Sequence, residues 1–174
     1  MADVPCLDAL ALPEVVASLA ERPHGLVLFT GPTGSGKTTA LAALVDRLNR
    51  SAGRVIVTVE DPVEYVHASI RSVVAHCEVG TDIDDYATAV YGFMRADPDV
   101  ILVGEMRDRA TMEAVLCAAE TGHLVFSTLH TNDAVQTVDR VIDAFAGQAQ
   151  AQARTQLAAT LVGVVSLRLV PTVA

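Results

Sequence analysis

Hydrophobic and polar positions along the chain alternate between two textures. Short, wholly apolar runs stand between turn residues, and most are followed by longer stretches whose apolar positions recur every three or four residues. The first run, Leu26–Thr30, is bounded by His24-Gly25 and Gly31-Pro32 and reads as a buried strand. A helix is predicted from about Gly36 to Arg50, with Leu41, Leu44, Val45 and Leu48 on one face and Gly53 as its stop. Arg54–Thr58 is a second strand, and Ile70–Val79 is a weaker run that fits an edge strand or a hairpin arm. Asp84 stands where it can cap a helix that buries Tyr86, Ala89, Val90 and Phe93. Val100–Val103 is a third buried strand, followed by a helix capped by Asp108, with Met112, Val115, Leu116 and Ala119 on one face and Gly122 at its end. Leu124–Leu129 is a fourth, and Asn132 or Asp133 then caps a helix through Phe145. The last helix is predicted from about Gln148 to Val165. The tract Leu157–Val170 reads as a buried helix running into a strand; it has 14 residues and contains Arg168, whereas a membrane span needs roughly 20 apolar residues.

Strands that are apolar throughout, rather than apolar on alternate positions, imply a parallel sheet covered by helices on both faces. The predicted fold class is therefore α/β. In such sheets ligands bind beyond the carboxyl ends of the strands, which directs the search for chemistry to those ends.

Composition narrows the picture. The chain has 174 residues, 51% of them hydrophobic and 19% charged, which suits one globular domain and excludes a disordered or collagen-like chain. Its three cysteines, Cys6, Cys77 and Cys117, form no C-x-x-C pair, so neither a disulfide framework nor a zinc site is expected and a reducing compartment is. A net charge of −9 argues against nonspecific nucleic-acid binding. The first 25 residues carry Asp3, Asp8 and Glu14 with no basic stretch ahead of an apolar one, so no export signal is expected. The expectation is a soluble cytosolic domain that reaches a membrane only through a partner.

The end of the first strand carries the strongest chemical signal. Gly31-Pro32-Thr33-Gly34-Ser35-Gly36-Lys37-Thr38 matches the phosphate-binding loop G-x-x-x-x-G-K-S/T, in the strand-to-helix context that the motif requires. Its glycines let successive backbone N–H groups face phosphate oxygens, and the helix N-terminus adds its dipole. Lys37 is expected to reach the β- and γ-phosphates, and the Thr38 hydroxyl to hold Mg²⁺. The second strand is followed by Glu60, Asp61 and Glu64 around Pro62, carboxylates suited to water activation or to outer-sphere duty at Mg²⁺, or simply to a solvated acidic turn. The third strand leads into Gly104-Glu105, the Walker B arrangement with Glu in place of the more usual Asp. Arg107 and Arg109 follow, for phosphate contact or for salt bridges at a subunit interface. Two histidines flank the fourth strand, roughly 23 Å apart at 3.3 Å per residue. Only His130 falls at the phosphate end, with Thr128, Thr131 and Asn132 around it; His123 is expected to be structural or at an interface.

Four segments in one order carry a family resemblance: Gly31–Thr39 (GPTGSGKTT), Thr58–Glu64 (TVEDPVE), Asp97–Asp108 (DPDVILVGEMRD) and Thr121–Ala134 (TGHLVFSTLHTNDA). They resemble the Walker A, Asp box, Walker B and His box of the secretion ATPase superfamily, which drives type IV pili and type II and type IV secretion. Within it, Glu78-Val79-Gly80 and Gly104-Glu105-Met106-Arg107-Asp108 are most similar to the PilT-type pilus retraction ATPases. The resemblance implies a RecA-like P-loop core, ATP with Mg²⁺, a cytoplasmic homo-hexameric ring and platform proteins of the inner membrane as partners, with no nucleic acid and no direct membrane insertion. It implies Glu60 as the catalytic glutamate with Glu64 as fallback, Glu105 as the Walker B acid and metal holder with Thr38, and His130 as the contact that couples nucleotide state to movement. Thr39 joins the nucleotide-binding set.

The resemblance divides the chain into a lead-in helix and linker (1–24), a motif-bearing core (25–145) and a C-terminal helix and strand (146–174). Family members add an N-terminal PAS-like domain of roughly a hundred residues and further C-terminal helices, so the chain is expected to be a shortened core. It also departs from the family in detail: Cys77 and Tyr91 stand where arginines are usual, and Leu167 where Gln is. Inter-subunit arginines of that kind are worth about 10³–10⁵ in rate, with Arg71 or Arg95 as substitutes. Two readings therefore stand at this stage: a motor ATPase core, or a nucleotide-binding module with weak hydrolysis. A small-molecule kinase lacks its Arg-rich acceptor lid.

Overall fold

A computed structural model describes residues 4–51 and 53–170. After a 3-10 turn at Leu7–Leu10 and a short helix α1 (Glu14–Leu19), strand β1 (Gly25–Thr30) enters the core and feeds helix α2 (Lys37–Ser51). Strands β2 (Val55–Glu60) and β3 (Val73–Glu78) follow, then α3 (Tyr86–Met94), β4 (Val100–Val103), α4 (Arg109–Glu120), β5 (Leu124–Leu129), α5 (Ala134–Asp143), α6 (Gln148–Thr160) and β6 (Leu161–Ser166). The strands form one sheet in the order β3-β2-β4-β5-β1-β6, and every pairing is parallel.

Alternation along the strands builds two cores. Leu26, Leu28, Val57, Val59, Ile101, Val103 and Val125 pack on one face with α3, α4 and α6. Val27, Phe29, Ile56, Leu102, Leu124 and Phe126 pack on the other with α2 and the lead-in segment. Both sets are buried, so the apolar runs are the consequence of helices on both sides of a parallel sheet.

Two sequence expectations change and one alternative is decided. The last helix ends at Thr160 rather than near Val165, and Leu161–Ser166 is a sixth strand beside β1. Asp85, not Asp84, caps α3, its carboxylate accepting the Thr88 N–H at 2.8 Å. The weak run at 70–79 contributes a parallel edge strand rather than a hairpin arm, paired in register from Val55↔Val73 to Glu60↔Glu78. Asp108 caps α4 and Asp133 caps α5.

The crossover from β2 to β3 has no helix of its own and is tied to the end of α2. Asn49, 1% exposed, donates to Ala68 O at 2.7 Å and accepts from the Ile70 N–H at 3.0 Å. Its carbonyl accepts from the N–H groups of Arg71 and Ser72.

Candidate functional site

Because all strands run the same way, their carboxyl ends lie along one rim of the sheet. The turns leaving β1, β2, β4 and β5 therefore converge there. They line one cavity of about 470 Å³ together with the start of α2.

The turn after β1 is shaped by backbone conformation. Gly31 has φ +144°, and a Cβ there would lie 2.2 Å from the Leu167 carbonyl oxygen and 2.7 Å from Ser35 Oγ. Gly34, at φ +77°, faces open space. Lys37 opens α2 and is 8% exposed. Its ammonium donates to the carbonyls of Gly31 at 2.8 Å and Pro32 at 3.1 Å. Burial pushes the Lys37 pKa down and the Glu105 carboxylate opposes that shift. A buried cation at a helix N-terminus, beside backbone N–H groups, is a built anion site.

Glu105 is the electrostatic hub of the opposite wall. Its carboxylate is paired with the Arg107 guanidinium and lies 3.1 Å from His130 Nε2. Arg107 also reaches Asp61 at 3.7 Å, so one arginine spans the turns after β2 and β4. Tyr86, from the start of α3, lines the same wall. Burial, then the charges of Asp61 and Glu105, push its phenol up to about 12. The hydroxyls of Thr30, Thr131 and Thr137 form a hydrogen-bonded string that pins the turn after His130 to the end of β1, and Thr128 Oγ1 donates to Gly104 O at 2.7 Å.

The structure brings Thr33, Gly34, Gly36, Lys37, Thr38, Thr39, Glu60, Glu64, Glu105 and His130 to this one cavity. Gly31, Pro32 and Ser35 shape the turn without lining it. Arg107 forms its ion pairs within the chain, and Arg109 lies over the Phe145 ring at 5.5 Å. His123 is buried at the far end of β5 with Nδ1 3.0 Å from Ala118 O. Cys77 is half-buried on β3 with its thiol pushed up by burial. Tyr91 sits on α3, 43% exposed. Neither Arg71 nor Arg95 lines the cavity: one precedes β3 and the other closes α3, both at the opposite rim of the sheet. Sequence reasoning missed Tyr65, His67 and Tyr86 as lining residues. Tyr86 shares the apolar face of α3, so periodicity assigns it to the core, where it also packs. Tyr65 and His67 had one available signal, their position directly after the Asp61–Glu64 turn.

The comparisons fit this geometry. Residues 10–174 match the family model described as type II/IV secretion system protein. The type IV pilus retraction ATPase PilT of Pseudomonas aeruginosa is 48% identical over 94% of this chain and 48% of its own length. The type IV pilus assembly ATPase PilB of Myxococcus xanthus is 50% identical, over 71% of this chain and 21% of its own. A crystal structure of the pilus retraction motor PilT with bound ADP superposes with a TM-score of 0.95 at 48% identity, covering 98% of this chain and 50% of that one. The ATPase DotB of Legionella pneumophila superposes at 0.87 with 34% identity, covering 90% of this chain and 44% of that one. The chain thus spans about half the length of curated relatives it matches, PilT among them. With this fold, this cavity and these relatives, the chain belongs to the type II/IV secretion system protein family.

Proposed function

We propose that the chain is the ATP-binding and ATP-hydrolysing core of a motor of the type IV pilus retraction or secretion class. One observation carries the reading: a phosphate loop with a buried lysine shares a single cavity with Glu60, Glu105 and His130. The loop amides and Lys37 neutralise the β- and γ-phosphates. Glu60, leaving β2 with its carboxylate 12% exposed, orients a water for in-line attack on the γ-phosphorus and takes its proton. ADP leaves with the bridging oxygen's electrons. Glu64, on the same turn, is the fallback base. Thr38 and Glu105 suit Mg²⁺, since a hydroxyl and a carboxylate are the oxygen donors this cation takes, and the ion supplies charge neutralisation at the phosphates. His130, held against Glu105, lies where loss of the γ-phosphate would be felt.

The wider assignment follows the relatives. We read residues 1–174 as one RecA-like unit, with 25–145 as its motif-bearing core and 146–174 as a C-terminal helix and strand, α6 and β6. It works as a cytoplasmic homo-hexamer, at the inner membrane through platform proteins; among the described residues no helix is long and apolar enough to cross a membrane. Relatives named for retraction favour twitching motility over assembly.

The test is Glu60→Gln. General-base removal costs about 10²–10⁴ in rate, so ATP turnover falls by at least about a hundredfold while binding of a fluorescent ATP analogue is kept. Undiminished turnover would refute the Glu60 assignment.

A further inference from the structure

Tyr86 carries a hydroxyl into the phosphate cavity from the other side of the sheet. β2 and β4 are neighbours, paired up to Val59↔Val103, so Glu60 and Gly104 leave the sheet side by side. Tyr86 opens α3, and its ring belongs to the core that holds Val59 and Val103. Its oxygen comes to the rim between those two strand ends: a Cβ on Gly104 would lie 3.3 Å from Tyr86 Oη and 3.4 Å from Glu60 Cα. The glycine leaves room for the phenol beside the residue read as the base.

The side chain is 7% exposed and lines the cavity, yet its hydroxyl makes no hydrogen bond among the described residues. A buried hydroxyl without a partner is costly, and a ring that only filled space would do so better without one. The polar groups nearby are already engaged. Tyr65, the other tyrosine of the cavity, faces Thr39 Oγ1 at 3.5 Å, Thr128 donates to Gly104 O, and His130 and Arg107 meet Glu105. The phenol also stays neutral. Burial, then the charges of Asp61 and Glu105, keep its proton in place, so it adds no negative charge where phosphate arrives.

We propose that Tyr86 is a further catalytic residue, its hydroxyl holding the attacking water together with Glu60. The proposal rests on the reading of Glu60 as the group that activates water. The water donates one O–H to the Glu60 carboxylate and the other to Tyr86 Oη, which leaves a lone pair free for the γ-phosphorus. As the bond to phosphorus forms and the bond to the bridging oxygen breaks, the proton goes to Glu60 and the electron pair to ADP. The phenol keeps its proton throughout.

Tyr86→Phe keeps the ring and removes the hydroxyl. The ATPase kcat of the purified protein falls about two- to tenfold, the worth of one neutral hydrogen bond, while KM for ATP stays within about twofold. The melting temperature is not lowered, because the hydroxyl has no partner in the chain. ADP alone binds the variant as it binds the parent. ADP with aluminium fluoride, which copies the transferring phosphoryl group with its attacking water, binds more weakly by the same factor as the loss in kcat. A merely structural role predicts instead a lowered melting temperature and equal weakening of both complexes. That result overturns the proposal, as does a parental kcat in Tyr86→Phe. Full turnover in Glu60→Gln removes the reading of Glu60, whereas loss in Glu60→Gln with none in Tyr86→Phe removes only the proposal.

Discussion

The two glycines Gly31 and Gly34 separate two physical effects within one loop. Both have positive φ, but only Gly31 is crowded: an added Cβ would lie 2.2 Å from the Leu167 carbonyl oxygen, while Gly34 has nothing within 4 Å. Gly34→Ala pays only for its backbone conformation, about 1–2 kcal/mol. Gly31→Ala pays that and must also move either the phosphate loop or the chain after β6 by about an ångström to reach ordinary contact. The Leu167 N–H that donates to Thr30 O at 2.8 Å lies in the path of that movement, and losing it costs about 0.5–1.5 kcal/mol. The expected totals are about 1–2 kcal/mol for Gly34→Ala and about 2–4 kcal/mol for Gly31→Ala. With a urea m-value of about 2 kcal/mol/M, the middle of the usual range, the Gly31 variant's midpoint falls by roughly 1–2 M. Equilibrium urea unfolding followed by far-UV circular dichroism measures both. Equal destabilisation of the two variants would refute the argument, since the contact with Leu167 is what sets them apart.

Other expectations are simpler. Asp108→Ala removes the carboxylate that accepts the Thr111 N–H at 2.8 Å and costs about 1 kcal/mol, seen as a lower melting temperature; a variant as stable as the parent would exclude the cap as a contributor. Tyr86 gives a pH signature. Its pKa is raised in the fold to about 12 from 10.0, so the stability it contributes is fully present below about pH 10 and is lost as pH rises through the folded value. Absorbance titration of phenolate should show a step near pH 12 that is absent from Tyr86→Phe; retention of that step in the variant would assign it elsewhere.

What the sequence made legible follows from burial. β1, β4 and β5 are covered on both faces, so their residues are buried throughout, mostly apolar and bounded by turns, and the phosphate loop is a local motif whose spacing survives without tertiary information. β3 is half-exposed and carries His76 and Cys77, so the pattern of a buried strand is missing. The strand expected after the last helix begins earlier than periodicity places it, at Leu161 rather than near Val165, because Leu157 and Leu161–Val165 form one apolar stretch that periodicity cannot divide. The branched Val162, Val164 and Val165 favour the strand, and pairing with β1 decides it. At the site, residue types were readable but partners were not. Nothing local says that Arg107 spans Asp61 and Glu105, or that the His67 backbone N–H donates to His76 Nε2.

Asn49 gives α2 a second role. The helix begins with Lys37 in the phosphate loop and, about 18 Å further on at 1.5 Å per residue, is tied by Asn49 to the crossover. That crossover returns His67 to the wall of the same cavity. Phosphate loop, helix, crossover and histidine pair thus make a closed linkage whose two ends meet in one site, like the arms of a pair of tongs riveted at the far rim. The loop that carries Lys37 and the cavity wall beside Glu60 are therefore joined twice, once through the sheet and once through α2, Asn49 and the crossover.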